Sequence, residues 1–530
     1  MEDNLTGEKM DYDVVLIHPP AIYDFRKKTI FPGPIGYTVG ESTDQFMIPP
    51  IGMLSIADYL DRNGYKVIVD NLCERMVASG GFDAEKYIKG LSARVYAVGL
   101  HWCVHSQGAI EVARLCKELH PDSMVVLGGL TATVFSEEII RRYDFVDAVI
   151  RGEAEKPFLS LMKALGKHDR VEEVSNLTFR DNIGRVISNQ LMKPDDDLDE
   201  YEFTRLDLIE PKRSIFTRDM PAHWTIPVCR GCMHNCITCG GSAYSYKKYF
   251  GRKRPAFRSP GKIAEDMLKL SRQGVQFVFL FQDPLMGGKE YWSHLLSVLR
   301  REKIRLLQIS MELFGPADEE YIKELSQVGV PILINISPES MVDDVRRAHG
   351  RNYTNEELFR TIMLCSKYGI STNIFSMMAL ANDTNRTVRK TWGAWEQICS
   401  LNQHFGQVGN RAPVFHAFGP MVLLDPGSPA FDFPDKHGYH LIFKSLKDYI
   451  DGMSLPSWNQ WISYETKFLN RDLITKLIID SIEYSLNLRE KYGLYSRSNA
   501  QMKRSYYVDA SRKIVDMLNR GASLYSESEY

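Results

Sequence analysis

Cys232, Cys236 and Cys239 lie within one eight-residue stretch and carry the strongest chemical signal in the chain. They follow the apolar run Thr225-Ile-Pro-Val228 and precede Gly240-Gly241-Ser242. The thiols therefore sit on a loop leaving a short strand, beside small residues that let a ligand approach the backbone. Three thiolates given to a four-iron cluster leave one iron open to chelate a small molecule. A structural zinc site is the alternative, because Cys229 and Cys232 form one C-x2-C and Cys236 and Cys239 form another. Zinc ribbons and knuckles usually separate their ligand pairs by about a dozen residues so that two turns fold around the metal, and the spacing here is too short. Cys229 reads as a non-ligand, since a fourth thiolate would close the open iron.

The C-x3-C-x2-C spacing resembles the cluster motif of the radical S-adenosylmethionine (SAM) enzymes. That resemblance implies a [4Fe–4S] cluster held by Cys232, Cys236 and Cys239. Its open iron binds the amino and carboxylate groups of SAM, which is cleaved reductively to a 5′-deoxyadenosyl radical.

The elements around the motif read as α/β. Before it, Val14–Ile17, Val67–Val69, Val95–Leu100, Met124–Leu127 and Val146–Ile150 are strand-like. They alternate with helical periodicity at Ile51–Asn63, ended by Gly64, and Ser106–Leu119, ended by Pro121. This order predicts a parallel, doubly wound sheet with its ligand at the strand carboxyl ends. Those ends carry His18-Pro19-Pro20, His101-Trp102 through Ser106, and Gly128-Gly129. The first strand is not followed by G-x-G-x-x-G, which argues against a dinucleotide.

The strand-Pro-Pro opening, the turn Val126-Leu-Gly-Gly-Leu-Thr-Ala-Thr133 and Arg151-Gly-Glu-Ala-Glu155 look like the Rossmann-like cobalamin-binding domain found ahead of many radical SAM barrels. The resemblance places Gly128, Gly129 and Thr133 near the corrinoid's nucleotide tail. Glu153 closes the site, and His18, Pro19, His101 and Trp102 complete the candidate set. The domain lacks D-x-H-x-x-G, so cobalt is expected without a protein histidine, with His101 and His105 as the open alternative. Trp102 is a candidate to pack on the lower face of the corrin.

Residues 1–170 thus read as the corrinoid domain, 171–217 as a linker, 218–430 as the barrel and 431–530 as a mostly helical C-terminal domain. The linker carries a hairpin-like stretch, Leu177–Ile187, and an acidic run, Asp195–Glu200, which reads as a solvated connection. In the third segment Gln276–Phe281, Leu306–Ser310, Pro331–Ile336, Thr372–Phe375 and Val414–Phe418 join the strand before the cysteines to give six. Six suits a partial (β/α)6, TIM-like radical SAM barrel, whose function gathers at strand carboxyl ends. The resemblance puts SAM contacts at Asp283, Glu312, Ser337 and Glu339, although Ser337-Pro338 departs from the usual Gly-Ile-Glu-Ser pattern. Capping of the next helix is the alternative role for such acids, as for Asp318.

The basic stretch Lys247-Lys248, Arg252–Arg254 and Arg258 reads as a solvated loop, with an anionic substrate or nucleic acid as alternatives. Leu424–Pro429 resembles the Pro-Gly-Ser/Thr-Pro turn that ends these barrels. Beyond it the aromatics of Leu455–Tyr464 are either core or part of a substrate-closing element.

Composition bounds the setting. Lys and Arg total 65 against 67 Asp and Glu in 530 residues, which argues against nucleic acid and anionic membranes. No stretch approaches a membrane span, and Met1–Glu8 lacks the order of a signal peptide. Cys73, Cys103, Cys116, Cys365 and Cys399 are scattered singly, as in a reducing compartment. A cytoplasmic, anaerobic enzyme is expected, with a flavodoxin- or ferredoxin-type electron donor. From residue 12 to about 430 the resemblance implies cobalamin-dependent radical SAM methyl transfer, from methylcobalamin, to an unactivated carbon. The substrate is a peptide, protein or small molecule, a glutamine Cα of methyl-coenzyme M reductase being one candidate. Ring closure, contraction or oxidation without methyl transfer is the alternative outcome. A non-catalytic corrinoid- or metal-binding protein is another. No catalytic residue is identified.

Overall fold

The computed structural model describes residues 10–33, 45–167, 170–212, 222–408 and 412–520; Met1–Glu8 lie outside them. Five parallel strands form the first sheet: β1 (Met10–His18), β2 (Val67–Asn71), β3 (Leu91–Gly99), β4 (Met124–Gly128) and β5 (Ala148–Ile150). Their order is β5-β4-β3-β1-β2, so the winding reverses between β1 and β3 and opens a crevice at their carboxyl ends. Val14–Ile17 are all buried, as a sheet covered on both faces requires. The helix Ser106–Leu119 keeps its expected bounds because Val112, Leu115 and Cys116 make one buried face.

Residues 171–212, the described part of the expected linker, add three strands to this sheet, two of them in the hairpin expected at Leu177–Ile187. β6 (Leu177–Arg180) and β7 (Val186–Ser188) form an antiparallel hairpin on β5, and β8 (Ile209–Glu210) pairs with β2. Both edges of the parallel sheet are thereby paired, which removes exposed backbone donors and acceptors.

The second sheet holds six parallel strands in simple sequence order. They are β9 (His223–Pro227), then, after a two-residue ribbon of β10 (Cys229–Arg230) and β11 (Ala256–Phe257), β12 (Phe277–Phe281), β13 (Gln308–Leu313), β14 (Ile332–Glu339), β15 (Ser371–Met378) and β16 (Val414–Pro420). Burial alternates along these strands. Val278, Leu280, Ile309, Met311, Ile334 and Ile374 are covered by helices, whereas Phe279, Ser310, Glu312, Asn335, Asn373 and Phe375 are only half-buried. One face of the sheet is core and the other lines an open chamber.

The C-terminal residues complete the barrel's shell. A short antiparallel pair, β17 (Tyr439–Leu441) and β18 (Tyr464–Thr466), precedes the helix Arg471–Lys491. That helix lies against the helix Asn385–Val408, where Trp392 donates to Ser481 at 3.0 Å. Trp458, Trp461 and Tyr464 are fully buried, so the aromatic segment is core. Among the described residues no helix is long and apolar enough to cross a membrane.

Two charged segments that read as solvated are instead used as joints. The Arg252 guanidinium is buried and donates to Glu153 at 2.7 and 3.0 Å and to the Asp195 carbonyl at 2.6 Å. Asp195 also accepts from Lys156 and Tyr201, and Asp199 accepts from the Ser259 amide. Arg258, fully buried, pairs with Asp266 at 2.5 Å, and Lys248 pairs with Asp432 at 2.8 Å. Arg230, next to the cysteine loop, donates to Glu155 and lies 3.3 Å from Glu153, while Ser55 also donates to Glu155.

Burial alone would raise the Glu155 carboxyl, but the Arg230 charge and the bonds from Arg230 and Ser55 hold it below its ordinary range. A depressed carboxyl stabilises the fold above its unfolded value and loses that contribution as pH falls. Arg230→Ala leaves Glu155 buried and unpaired and is expected to cost about 3–5 kcal/mol at pH 7 in urea denaturation. The deficit should shrink as pH falls through the carboxylate range; a pH-independent deficit would show that the pair is not its source.

Candidate active site between two strand edges

The cysteine loop is held from three sides. Within it the Ala243 amide donates to His234 at 2.8 Å. From the barrel, the segment after the helix Asp343–Ala348 packs beneath it: the Ile237 amide donates to His349 at 3.3 Å, and Gly350, at φ +91°, lies so close that a Cβ would sit 2.6 Å from the Asn235 carbonyl. From the barrel's end, Asp425 accepts from the Gly240 amide at 3.0 Å, and the Ala430 amide donates to Ile237 at 2.7 Å.

Within that loop Cys236 is buried, Cys232 half-buried and Cys239 exposed. Backbone amides of His234 and Gly241 point at the Cys232 and Cys239 sulfurs, at 3.4 and 3.3 Å. Such donors favour thiolates. Cys229 is buried on β10, opposite Phe257. Among the described residues no three His, Cys, Asp or Glu side chains converge tightly enough for a single metal ion. Three thiols on one short loop, two of them facing amide donors, suit a multi-iron cluster. Burial pushes the Cys236 thiol up to about 12, so metal must displace its proton on loading.

Three of the six barrel strand ends carry backbone strain. Gln282 after β12, Glu339 at the end of β14 and Ala379 after β15 have φ of +81°, +64° and +65°, a region costly for side chains other than glycine. Gln282 is buried and its Oε1 has no partner, an acceptor free for a ligand ammonium. Asp283 caps the short helix Pro284–Gly287 through the Leu285 amide, and its other oxygen accepts from Phe314 at 2.7 Å. Glu312 accepts from the Gln282 amide at 3.0 Å. Ser337 is half-buried on the chamber side of β14, and Glu339 is paired with Arg351 at 3.2 Å. The four SAM candidates thus gather on the end of the sheet beside the cysteines. These features fit an amino acid head group: a bare acceptor at Gln282, and a cation, Arg351, whose Nε has no partner.

Arg351 escaped the reading of the sequence, and Gln282 was marked only as part of the Phe281-Gln-Asp283 strand end that the resemblance assigns to SAM's amino group. Gly350 just past a helix end was the available signal for a tight C-terminal turn. Nothing in the spacing marks Arg351 itself.

The corrinoid candidates collect at the carboxyl edge of the first sheet. His18 and Pro19 end β1, and both are buried; His18 bonds the Phe46 carbonyl at 2.9 Å and meets the His105 ring edge-on at 5.0 Å. Burial lowers the His18 and His101 imidazoles to about 4, and His105 further, so all three are neutral. His101 and Trp102 remain half-exposed, their rings 4.6 Å apart. Gly128 ends β4, and Gly129, at φ +116°, passes so close to β3's loop that a Cβ would sit 2.6 Å from His101 Cα. Thr133 ties the turn together, donating to Gly129 at 2.7 Å and accepting from Gly152 at 3.0 Å. Glu153 is spent on Arg252 and Arg230. An edge of neutral imidazoles, one half-open indole and a bare glycine turn suits a large, weakly charged macrocycle.

One turn touches both edges. Within Leu424–Ser428, Asp425 grips the cysteine loop, while a Cβ on Gly427 would strike Val134 at 2.7 Å, just beyond the Gly128-Gly129 turn. Ser245, after the cysteines, donates to the Gly427 carbonyl at 2.9 Å. The cluster loop and the first sheet's edge therefore share one wall.

The comparisons with known proteins agree with this geometry. The family model of the radical SAM superfamily matches residues 226–391, and that of the B12 binding domain matches residues 39–162. An uncharacterized methyltransferase of Pyrococcus horikoshii is 22% identical over 345 residues, covering 65% of this chain and 72% of the relative. The anaerobic magnesium-protoporphyrin IX monomethyl ester cyclase of Rubrivivax gelatinosus is 23% identical over 356 residues, covering 65% of this chain but only 61% of the cyclase. Among solved structures, the radical SAM methyltransferase TsrM of Kitasatospora setae with cobalamin and a [4Fe–4S] cluster aligns over 95% of this chain and 100% of its own, with TM-score 0.62 at 14% identity. The cobalamin-dependent radical enzyme OxsB with aqua-cobalamin aligns over 97% of this chain and 76% of its own, with TM-score 0.63 at 15% identity.

Burial pushes the Glu312 carboxyl up to about 7 and Asp283 to about 6. A raised carboxyl favours the fold below its unfolded value and forfeits that contribution as pH rises through the folded value. In protein stripped of cofactors, Glu312→Gln is expected to flatten the fall in thermal midpoint between about pH 5 and pH 8. An unchanged slope in that melting series would show that Glu312 is ionised throughout. The two matched domains, the three-thiol loop and the neutral sheet edge facing it identify the chain as a cobalamin-dependent radical SAM enzyme, with a [4Fe–4S] cluster, SAM and cobalamin as its cofactors.

Proposed function

We propose that this enzyme methylates an unactivated carbon. The observation that carries the reading is the turn Leu424–Ser428, which touches both the cysteine loop and the segment just beyond the Gly128-Gly129 turn, as a site shared by SAM and a corrinoid requires. When bound, the cofactors supply a hydrogen-abstracting adenosyl radical and a transferable methyl group.

The chain's own residues position and shield. Cys232, Cys236 and Cys239 would hold the cluster; Gln282 Oε1 and Arg351 would orient the two ends of SAM's amino acid group. His18, His101 and His105 stay neutral, so no imidazolium faces the corrinoid edge. Phe279, Phe281 and Phe375 line the chamber with apolar surface that keeps water from a carbon radical. Met233, 60% exposed on the cysteine loop, and exposed Cys239 leave the cluster side approachable by an electron donor of flavodoxin or ferredoxin type. Peptide, protein and small-molecule substrates all suit the reading, a glutamine Cα of methyl-coenzyme M reductase among them. The methyltransferase relative and TsrM favour methyl transfer, whereas the cyclases favour ring closure without it.

Alanine at Cys232, Cys236 or Cys239 is expected to abolish both the roughly four irons per chain and 5′-deoxyadenosine formation, whereas Cys229→Ala keeps both. Iron counting and nucleoside chromatography on anaerobically reconstituted protein read these outcomes. Mass spectrometry of proteome and metabolites after gene deletion should show loss of a species heavier by about 14 mass units, the gain of CH2. A product two hydrogens lighter, with no methyl gain, would replace methyl transfer by cyclisation or oxidation.

A further inference from the structure

The chamber face of the barrel sheet carries a polar row between two exposed aromatic rings. Strand register sets Glu312 opposite Asn335, Asn335 opposite Asn373, and Asn373 opposite Phe415. On the far side Phe281 follows Leu280, which pairs with Met311, so it stands next to Glu312. Phe281 and Phe415, 39% and 38% exposed, therefore close the two ends of the row.

Barrel interiors are ordinarily filled by branched apolar side chains. Here two carboxamides occupy mid-strand positions and bond each other, Asn373 Nδ2 donating to Asn335 Oδ1 at 3.3 Å. Each is half-buried, and what remains open is donors, Asn335 Nδ2 and the second N–H of Asn373 Nδ2, beside an acceptor, Asn373 Oδ1. Turning both carboxamides over together leaves the same complement, donors beside an acceptor.

A group that satisfies donor and acceptor together must itself accept and donate on adjacent atoms, as an amide does; a carboxylate or phosphate can take the donors but leaves the acceptor without a partner. Charge gives the same answer. From β12 to β16 no Lys or Arg stands at a chamber-facing strand position, and the one ionisable group in the row is the Glu312 carboxyl. An anionic substrate group would meet no cation there and would leave the Asn373 oxygen unpaired, at a cost.

We propose that Asn335 and Asn373 form the recognition site for a neutral amide of the substrate, with Phe281 and Phe415 gripping apolar groups on either side. The substrate class is then a peptide segment rather than a tetrapyrrole bearing propionates or a phosphorylated metabolite. This rests on the proposed function only in taking the chamber as the place where substrate is held.

A matched pair of probes tests it on the full chain reconstituted with cluster, SAM and cobalamin. 3-Phenylpropanamide and 3-phenylpropanoate differ only in amide against carboxylate, and the acid carries no amide of its own; mesoporphyrin IX supplies the tetrapyrrole arm. Calorimetry is expected to show the amide binding about ten-fold more tightly than the acid, as one acceptor left unpaired in the complex implies. Asn335→Leu and Asn373→Leu should each weaken the amide by about five-fold or more and erase its preference over the acid. Equal or tighter binding of the acid, displacement of the amide by mesoporphyrin, or no amide binding at its solubility limit would overturn the proposal. The wild-type comparison decides even if a leucine variant fails to fold. Amide preference without any methylated product would remove the methyl-transfer reading and leave the recognition site standing; a methylated product lacking an amide would do the reverse.

Discussion

The alignment of two strand edges depends on four charged side chains. Arg230 and Arg252 flank the cysteine loop, and Glu153 and Glu155 leave the end of β5 on the other sheet. A buried ion pair of this kind adds little net stability over apolar packing, yet it is costly to break once formed. It acts as a register. Charges removed from water must find each other, so the two sheets meet in the orientation that pairs them. The acidic run at Asp195 and the turn at Leu424–Ser428 then lock that orientation.

Given that orientation, the two edges differ in how they are prepared for their ligands. The barrel edge stores strain: Gln282, Glu339 and Ala379 hold left-handed backbone at the ends of β12, β14 and β15, and Gln282 keeps a buried acceptor bare. The corrinoid edge stores neutrality, because His18, His101 and His105 are desolvated below their ordinary protonation range. One edge offers directed polar atoms to an amino acid group, and the other offers a weakly charged surface to a macrocycle. Between them, alternate residues on one face of the barrel sheet are only half-buried.

The sequence alone established what local rules govern. Six barrel strands, the doubly wound sheet and the helix Ser106–Leu119 were legible because apolar periodicity depends on neighbours a few residues away. The cysteine loop was legible because its three ligands come from one turn of chain, and their spacing is itself the chemistry. The residues gathered at each strand end were legible as positions, since parallel α/β sheets place ligands there whatever the sequence.

Tertiary structure decided the rest, and it did so wherever partners are far apart in the chain. The hairpin at 177–188 was legible from its turn, but its place in the sheet was not, and residues 209–210 are too short to carry periodicity; only pairing with β5 and β2 makes these segments part of the sheet. Arg252 and Asp195 read as solvated because a charge is buried only when its counter-charge, 99 residues away in Glu153 for Arg252, arrives by folding. Arg351 and the Asn335–Asn373 pair carry no motif at all. Their meaning comes from β-register and strand-end geometry, which no local pattern encodes.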